Sequence, residues 1–140
     1  HSVLYPLSGV KRKLEVFNAD DKGFWNMGPG ERLLVRCGFA MSMPEGYEAQ
    51  VRPRSGSALK HGITVVNSPG TIDSGFRDEV GVILLNTSRS TFMFSAGDRI
   101  AQLVIHKLPE ISVVEVDHLS EPSERGAAGF GSTCNCSAKE

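Results

Sequence analysis

The sequence predicts an all-β domain of short strands, arranged as a sandwich or barrel. Three observations lead there. Chain breakers recur: Gly28-Pro29-Gly30, Pro44-Glu45-Gly46, Ser68-Pro69-Gly70 and Ser95-Ala96-Gly97-Asp98. Between them lie short runs rich in Val, Ile, Leu and Phe, with turn signals at a spacing of roughly 8–12 residues. No long segment carries the 3.6-residue apolar period of a helix, which disfavours a bundle or a doubly wound sheet.

Taken in order, residues 32–39, 47–52, 63–67, 79–86, 91–94, 100–107 and 111–116 read as strands. Residues 57–61 read as the single helical turn. The stretch 67–76 sits between two strand-like runs and is expected to be the wide tip of a β-hairpin. After Val116 the chain turns polar and rich in small residues, with Phe130 as its one aromatic. Composition alone makes that stretch a flexible extension. The expected organisation is one β domain over residues 1–120 and a flexible C-terminal arm over residues 121–140.

With 140 residues and a formal net charge of −1, the chain is one ordinary domain without the basic stripe of a dedicated nucleic-acid binder. No apolar run reaches membrane-spanning length and no signal-peptide pattern opens the chain. The sequence begins at His1 rather than Met, so its start is expected to be processed or missing. Cys37, Cys134 and Cys136 offer no zinc framework, and the four histidines have no metal-ligand spacing. The expectation is reduced thiols and a soluble intracellular protein, cytoplasmic or nuclear. Nothing in the sequence assigns a role to Cys134 and Cys136.

Four constellations carry chemistry. Arg52-Pro53-Arg54-Ser55-Gly56-Ser57 follows a strand and opens a helical turn, where an arginine, a hydroxyl and free N–H groups suit phosphate. By itself it equally describes an ordinary strand-to-turn junction. In Asn67-Ser68-Pro69-Gly70-Thr71-Ile72-Asp73-Ser74-Gly75-Phe76, an acid and an aromatic three residues apart could wall a pocket. Asp73 could instead simply cap its own turn. Gly97-Asp98-Arg99-Ile100-Ala101-Gln102-Leu103 is a turn entering a strand, with Ile100 and Gln102 on one face. Arg125-Gly126-Ala127-Ala128-Gly129-Phe130-Gly131-Ser132-Thr133 has glycine spacing but lacks the strand–turn–helix context of a dinucleotide fingerprint.

In sequence, P-R-S-G, N-x-x-G-x-I-D-x-x-F, G-D-R-I-A-Q and R-G-x-x-G-F-G-S-T resemble motifs two to five of the dUTPase family. They stand in family order, from about Pro29 to Thr133. The resemblance implies a jelly-roll-like β-barrel and a homotrimer with active sites shared between subunits. It also implies hydrolysis of dUTP to dUMP and pyrophosphate with Mg2+. Asp73 would be the general base. Asn67, Gly70, Thr71 and Ile72 would read uracil, and Phe76 would pack on the deoxyribose. Arg54, Ser55 and Gly56 from a second subunit would hold the phosphates, with Gln102 at the α-phosphate. From a third subunit, Phe130 would stack on uracil, Arg125 would meet the γ-phosphate, and Gly131 and Ser132 would donate to phosphate.

The sequence departs from the family in several places. The first motif, A-x-G-x-D-L, is replaced by Ser8-Gly9-Val10-Lys11-Arg12-Lys13-Leu14-Glu15-Val16, leaving Asp20 or Asp21 as positional candidates near the metal. Phe76 stands where tyrosine is usual, Asp78 and Ala128 where glycine is usual. Asp78 is expected to fit a tight turn poorly. Two rivals follow. A related dCTP deaminase would need a glutamate at the position of Ile83. A nucleotide-binding or regulatory relative would bind without turnover.

Overall fold

The computed structural model describes residues 2–4, 24–119, 123 and 126. The chain divides into two compact units, His1–Glu110 and Ile111–Glu140. In the first, the strands are β1 (Ser2–Leu4), β2 (Phe24–Met27), β3 (Arg32–Ala40), β4 (Tyr47–Arg52), β5 (Ile63–Val65), β6 (Gly70–Ile72), β7 (Glu79–Asn86), β8 (Phe92–Ser95) and β9 (Ala101–Lys107), and the helix is α1 (Ser55–His61). They form three sheets of order β1-β9-β4-β6, β2-β8 and β3-β7-β5. The architecture is all-β and jelly-roll-like, with open sheets in place of a closed barrel among the described residues.

Alternation explains which face each strand buries. Along β7, Val80, Val82, Leu84 and Asn86 point inward, and Leu33, Val35 and Cys37 do the same on β3. Ala49 and Val51 of β4 and Ala101 and Leu103 of β9 close the core from the larger sheet. Trp25 stacks on Phe94 at 5.5 Å between ring centroids, and Phe94 on Phe92 at 5.7 Å, holding β2 and β8 together, and Trp25, Met27 and Phe94 are buried in that core. Cys37 is buried, and burial, followed by the charge of Glu79, pushes its thiol up to about 12. It is therefore a packing residue held as the neutral thiol.

The expected hairpin is present. β5 pairs antiparallel with β7 (Ile63↔Asn86, Thr64↔Leu85, Val65↔Leu84). Its wide tip contains a strand that sequence patterning did not reveal. β6 leaves the β5-β7 sheet and pairs with β4 (Val51↔Gly70, Gln50↔Thr71, Ala49↔Ile72). α1 begins two residues earlier than expected and ends at Gly62. There φ is 65°, and the Gly62 N–H donates to the carbonyls of Ala58 and Ser57. A Cβ at Gly62 would also meet Ser88 at 3.0 Å, so both conformation and space require glycine.

One expected strand is absent. Residues 111–116 take no strand geometry, and Ile111, Val113, Val114 and Val116 are 56–89% exposed. Branched side chains fit a pleated, half-buried surface, and with no partner strand among the described residues of their own unit they do not create one. Farther along, Gly126 closes a turn by donating its N–H to the carbonyl of Ser123 at 3.0 Å. No described helix is long and apolar enough to cross a membrane.

Among the described residues, Asn86 is the fully buried polar side chain of this unit's core. Its Nδ2 donates to the carbonyls of Met27 and Ser90, both at 2.8 Å, and its Oδ1 accepts from Ser88 N–H and Oγ. Truncation would leave buried acceptors without donors. Asn86→Ala is expected to cost about 2–4 kcal/mol in urea unfolding at fixed protein concentration. A change within about 0.5 kcal/mol would show that the network is not a structural anchor.

Candidate active site

Three of the four sequence constellations meet around β4. Its last ladder pair joins Arg52 to Gln102 of β9, and Val51 faces Leu103 on one side and Gly70 of β6 on the other. The Arg52–Ser57 turn, the start of the 67–76 segment and the start of β9 therefore lie side by side, about one strand spacing (~4.8 Å) apart.

On the turn side, Pro53 ends β4 because it has no N–H to give the ladder. Gln102 Nε2 donates to the Pro53 carbonyl at 2.9 Å, and Ala58 N–H donates to the Arg54 carbonyl at 2.9 Å. Arg54 is half-buried, and Ser55 and Gly56 are exposed. Arg52 is engaged elsewhere. Its guanidinium donates to Gln50 Oε1 at 3.0 and 2.6 Å and meets His106 Nε2 at 2.9 Å. Gln50 in turn donates to Glu48 Oε1 at 2.6 Å. Because guanidinium only donates, His106 accepts there through an unprotonated Nε2.

On the hairpin side, Gly70 is buried, and a Cβ there would meet Asn67 Nδ2 at 3.1 Å and Val51 Cβ at 3.4 Å. The glycine thus lets Asn67 lie against β6. β6 is the edge of its sheet, so one row of its main-chain groups faces away from β4. Asp73 is exposed, and its Oδ1 accepts the Gly75 N–H at 2.7 Å while its carbonyl accepts the Phe76 N–H at 3.3 Å. The aspartate does cap its own turn, but that uses one oxygen and fixes the direction of the other. Phe76 is exposed beside it.

Asp78 fits its turn after all. Its Oδ1 accepts the Glu79 N–H at 2.7 Å and so starts β7, while Arg77 braces the same loop through the carbonyls of Ser74 and Phe76. Asp98 likewise fastens the turn into β9, where its Oδ2 accepts Ser95 N–H at 2.8 Å.

Asp73 and Arg54 leave this strand pair in opposite directions. β6 runs antiparallel to β4, so Asp73 follows Ile72 opposite Ala49, whereas Arg54 lies beyond Arg52. Three residues of strand already separate these ends by about 10 Å, and the chain continues in opposite directions from there. Asp20, Asp21, Arg125, Phe130, Gly131 and Ser132 lie outside the described residues, as do Cys134 and Cys136. Among the described residues no three His, Cys, Asp or Glu side chains gather as a metal site. Ile83, where the deaminase reading would need a glutamate, is an aliphatic residue on the outer face of β7.

Comparison with known proteins fits this geometry. The dUTPase family model matches residues 25–134. The deoxyuridine 5'-triphosphate nucleotidohydrolase of Thermobifida fusca is 56% identical over 108 residues, covering 76% of this chain and 60% of that protein. The chain thus spans less than two thirds of that relative's length. A variant of the Staphylococcus bacteriophage 80alpha dUTPase with dUpNHpp matches in fold with a TM-score of 0.71 at 22% identity, covering 91% of this chain and 90% of its own. A mutant dUTPase from phage phi11 of S. aureus, described with a structural Mg(II) ion, matches with a TM-score of 0.64 at 20% identity, covering 82% and 92%.

Gly70→Ala tests the hairpin packing. The added methyl should displace the Asn67 amide, moving its side-chain NMR resonances, and lower stability by about 1–3 kcal/mol. Unchanged resonances and melting would show that Gly70 does not set the position of Asn67.

Proposed function

The chain belongs to the dUTPase family, and from that premise we propose that it hydrolyses dUTP to dUMP and pyrophosphate in a homotrimer with active sites shared between subunits. The observation that carries this reading is the separation of Asp73 from Arg54 along β4. A base and a phosphate clamp that leave one strand pair in opposite directions suit a site to which two copies of the chain contribute.

In this reading a water held by the free oxygen of Asp73 attacks the α-phosphorus in line. The water's proton passes to the carboxylate, the bond from the α-phosphorus to the bridging oxygen breaks, and pyrophosphate leaves. Asn67 and the unpaired main-chain edge at Gly70, Thr71 and Ile72 recognise uracil, since strand-edge amides and carbonyls can imitate a base partner. Phe76 packs on the deoxyribose, its ring sufficing where tyrosine is usual. Arg54, Ser55, Gly56 and Gln102 form the phosphate end in the second subunit. The arm of residues 121–140 belongs to the third subunit. Phe130 stacks on uracil, Arg125 meets the γ-phosphate, and Gly131 and Ser132 donate to phosphate, excluding water as the arm closes.

Mg2+ completes the site. The described residues fit an ion held mainly by phosphate oxygens and waters, because they offer single carboxylates in place of a cluster. When bound, the ion neutralises charge on the triphosphate. Asp20 or Asp21 is the candidate for its water shell. A nucleoside-triphosphate substrate implies an intracellular setting.

Asp73→Asn should lower turnover by about a hundredfold or more, the range for losing a general base. Binding of dUpNHpp should stay within about tenfold, or 1.4 kcal/mol. An active Asp73→Asn variant would remove Asp73 from the role of base.

Mixing tests the shared site. Asp73→Asn and Arg54→Ala chains, each inactive alone, are unfolded together and refolded. Random assembly places an intact Asp73 opposite an intact Arg54 in about one site in four, so roughly a quarter of wild-type activity should return. No recovery, with trimers confirmed by sedimentation, would mean that each site is built within one chain.

A further inference from the structure

Family resemblance gives Gln102 to the substrate, but the structure engages its amide with the protein itself. Gln102 stands opposite Arg52 in the last pair of the β4-β9 ladder. One residue further, the Pro53 carbonyl has left the ladder, and Gln102 Nε2 donates to it at 2.9 Å. A carbonyl can only accept, so the NH2 end of the amide must face it whichever way the side chain is assigned. One of the two Nε2 N–H groups is thereby spent on Pro53, and the oxygen end of the amide is an acceptor, which repels phosphate oxygens.

The turn that follows has few other supports. Arg54, the N-cap of α1, is extended (φ −97°, ψ 132°) and makes no side-chain capping bond. The nearby Arg52 guanidinium is turned to Gln50 and His106. On one side the segment is fixed by the Ala58 N–H bond to the Arg54 carbonyl at 2.9 Å. On the other it is fixed by the Gln102 bond and the ring of Pro53.

We infer that Gln102 is a positioning residue, whose amide clamps the Pro53 carbonyl and so sets where Arg54 and Ser55 stand, and that it acts on the nucleotide through that turn. The inference rests on the reading that Arg54 holds phosphate. It also accounts for the conjunction of two sequence motifs: G-D-R-I-A-Q supplies the donor that P-R-S-G needs once proline has ended its strand.

The test uses the full chain with Mg2+ and dUpNHpp. Gln102→Met keeps the side chain's length and removes the donor. Gln102→Glu keeps the shape and opposes the Pro53 carbonyl with an acceptor when ionised. Each should weaken dUpNHpp binding about five- to tenfold, the worth of one hydrogen bond, and should speed hydrogen exchange at the Ala58 amide. In Gln102→Glu the loss, measured relative to wild type at each pH, should shrink as pH falls and the protonated carboxyl again donates to Pro53. With Arg54→Ala already present, Gln102→Met should cost little more, because a residue that acts through Arg54 has nothing left to position.

An undiminished loss in the Arg54→Ala background, with Ala58 exchange unchanged, would make Gln102 a direct ligand and overturn the inference. If Arg54→Ala itself leaves dUpNHpp binding intact, the phosphate reading of Arg54 fails. The clamp then stands or falls on Ala58 exchange and on the pH recovery of Gln102→Glu. Should Gln102→Met fail to fold, Gln102→Glu carries the same comparison, folded by protonation and loosened as it ionises.

Discussion

Double-sided pairing of β4 is the constraint on which the site depends. One strand of six residues, Tyr47–Arg52, pairs with β9 along one edge and β6 along the other. Its alternation puts Ala49 and Val51 into the core, so its register cannot slip by one residue without exposing both. A fixed β4 fixes its neighbours. Gly70 must stand beside Val51 and Gln102 beside Arg52, and the turn after Pro53 must emerge at that end. The core thereby transmits its precision to groups at the surface, and none of the proposed substrate-binding side chains among the described residues has to be deeply buried.

A second consequence is a division of labour among polar groups. Asn86, buried and fully engaged, ties the β7 terminus to the β2 end and the 87–90 loop. Glu79 pairs with Arg36 at 3.1 Å and also accepts the Gly38 N–H at 2.7 Å, holding the irregular end of β3. Its charge joins burial in keeping the Cys37 thiol protonated. These groups spend their hydrogen-bonding capacity inside the scaffold. Asp73 uses one oxygen that way and keeps the other, and the β6 edge keeps a whole row of main-chain groups. The distinction between a structural and a functional polar group here lies in what remains unspent.

The sequence made the long strands legible because their alternation is strong. β4 and β7 begin and end where the pattern places them, and β3 extends one residue further. It hid β6, whose three residues follow Pro69 and open with a glycine, the composition of a turn. It also hid β2, where only Trp25 and Met27 alternate inward, a signal that two residues are too few to establish. The 111–116 run erred the other way. Its side chains have strand propensity, but a strand is a relation between segments, and propensity does not supply a partner. In the site, residue types were readable and their connections were not. Nothing in the letters Pro53 and Gln102, 49 positions apart, says that one holds the other.

The same topology explains why the parts of the site lie far apart in one chain. An edge strand offers its unpaired row only on the side away from its neighbour, and β6 meets β4 with its other row. A ligand read by the β6 edge therefore lies outside the sheet, on the side of β6 away from β4. The ladder pairs of Arg52 with Gln102 and of Val51 with Gly70 hold the turn that carries Arg54 and the start of β6 in fixed places. In the proposed homotrimer, rotational assembly of identical copies would bring the turn of one chain to the edge of the next with every ladder intact. On this reading, sharing the site between subunits follows from how β4 is paired.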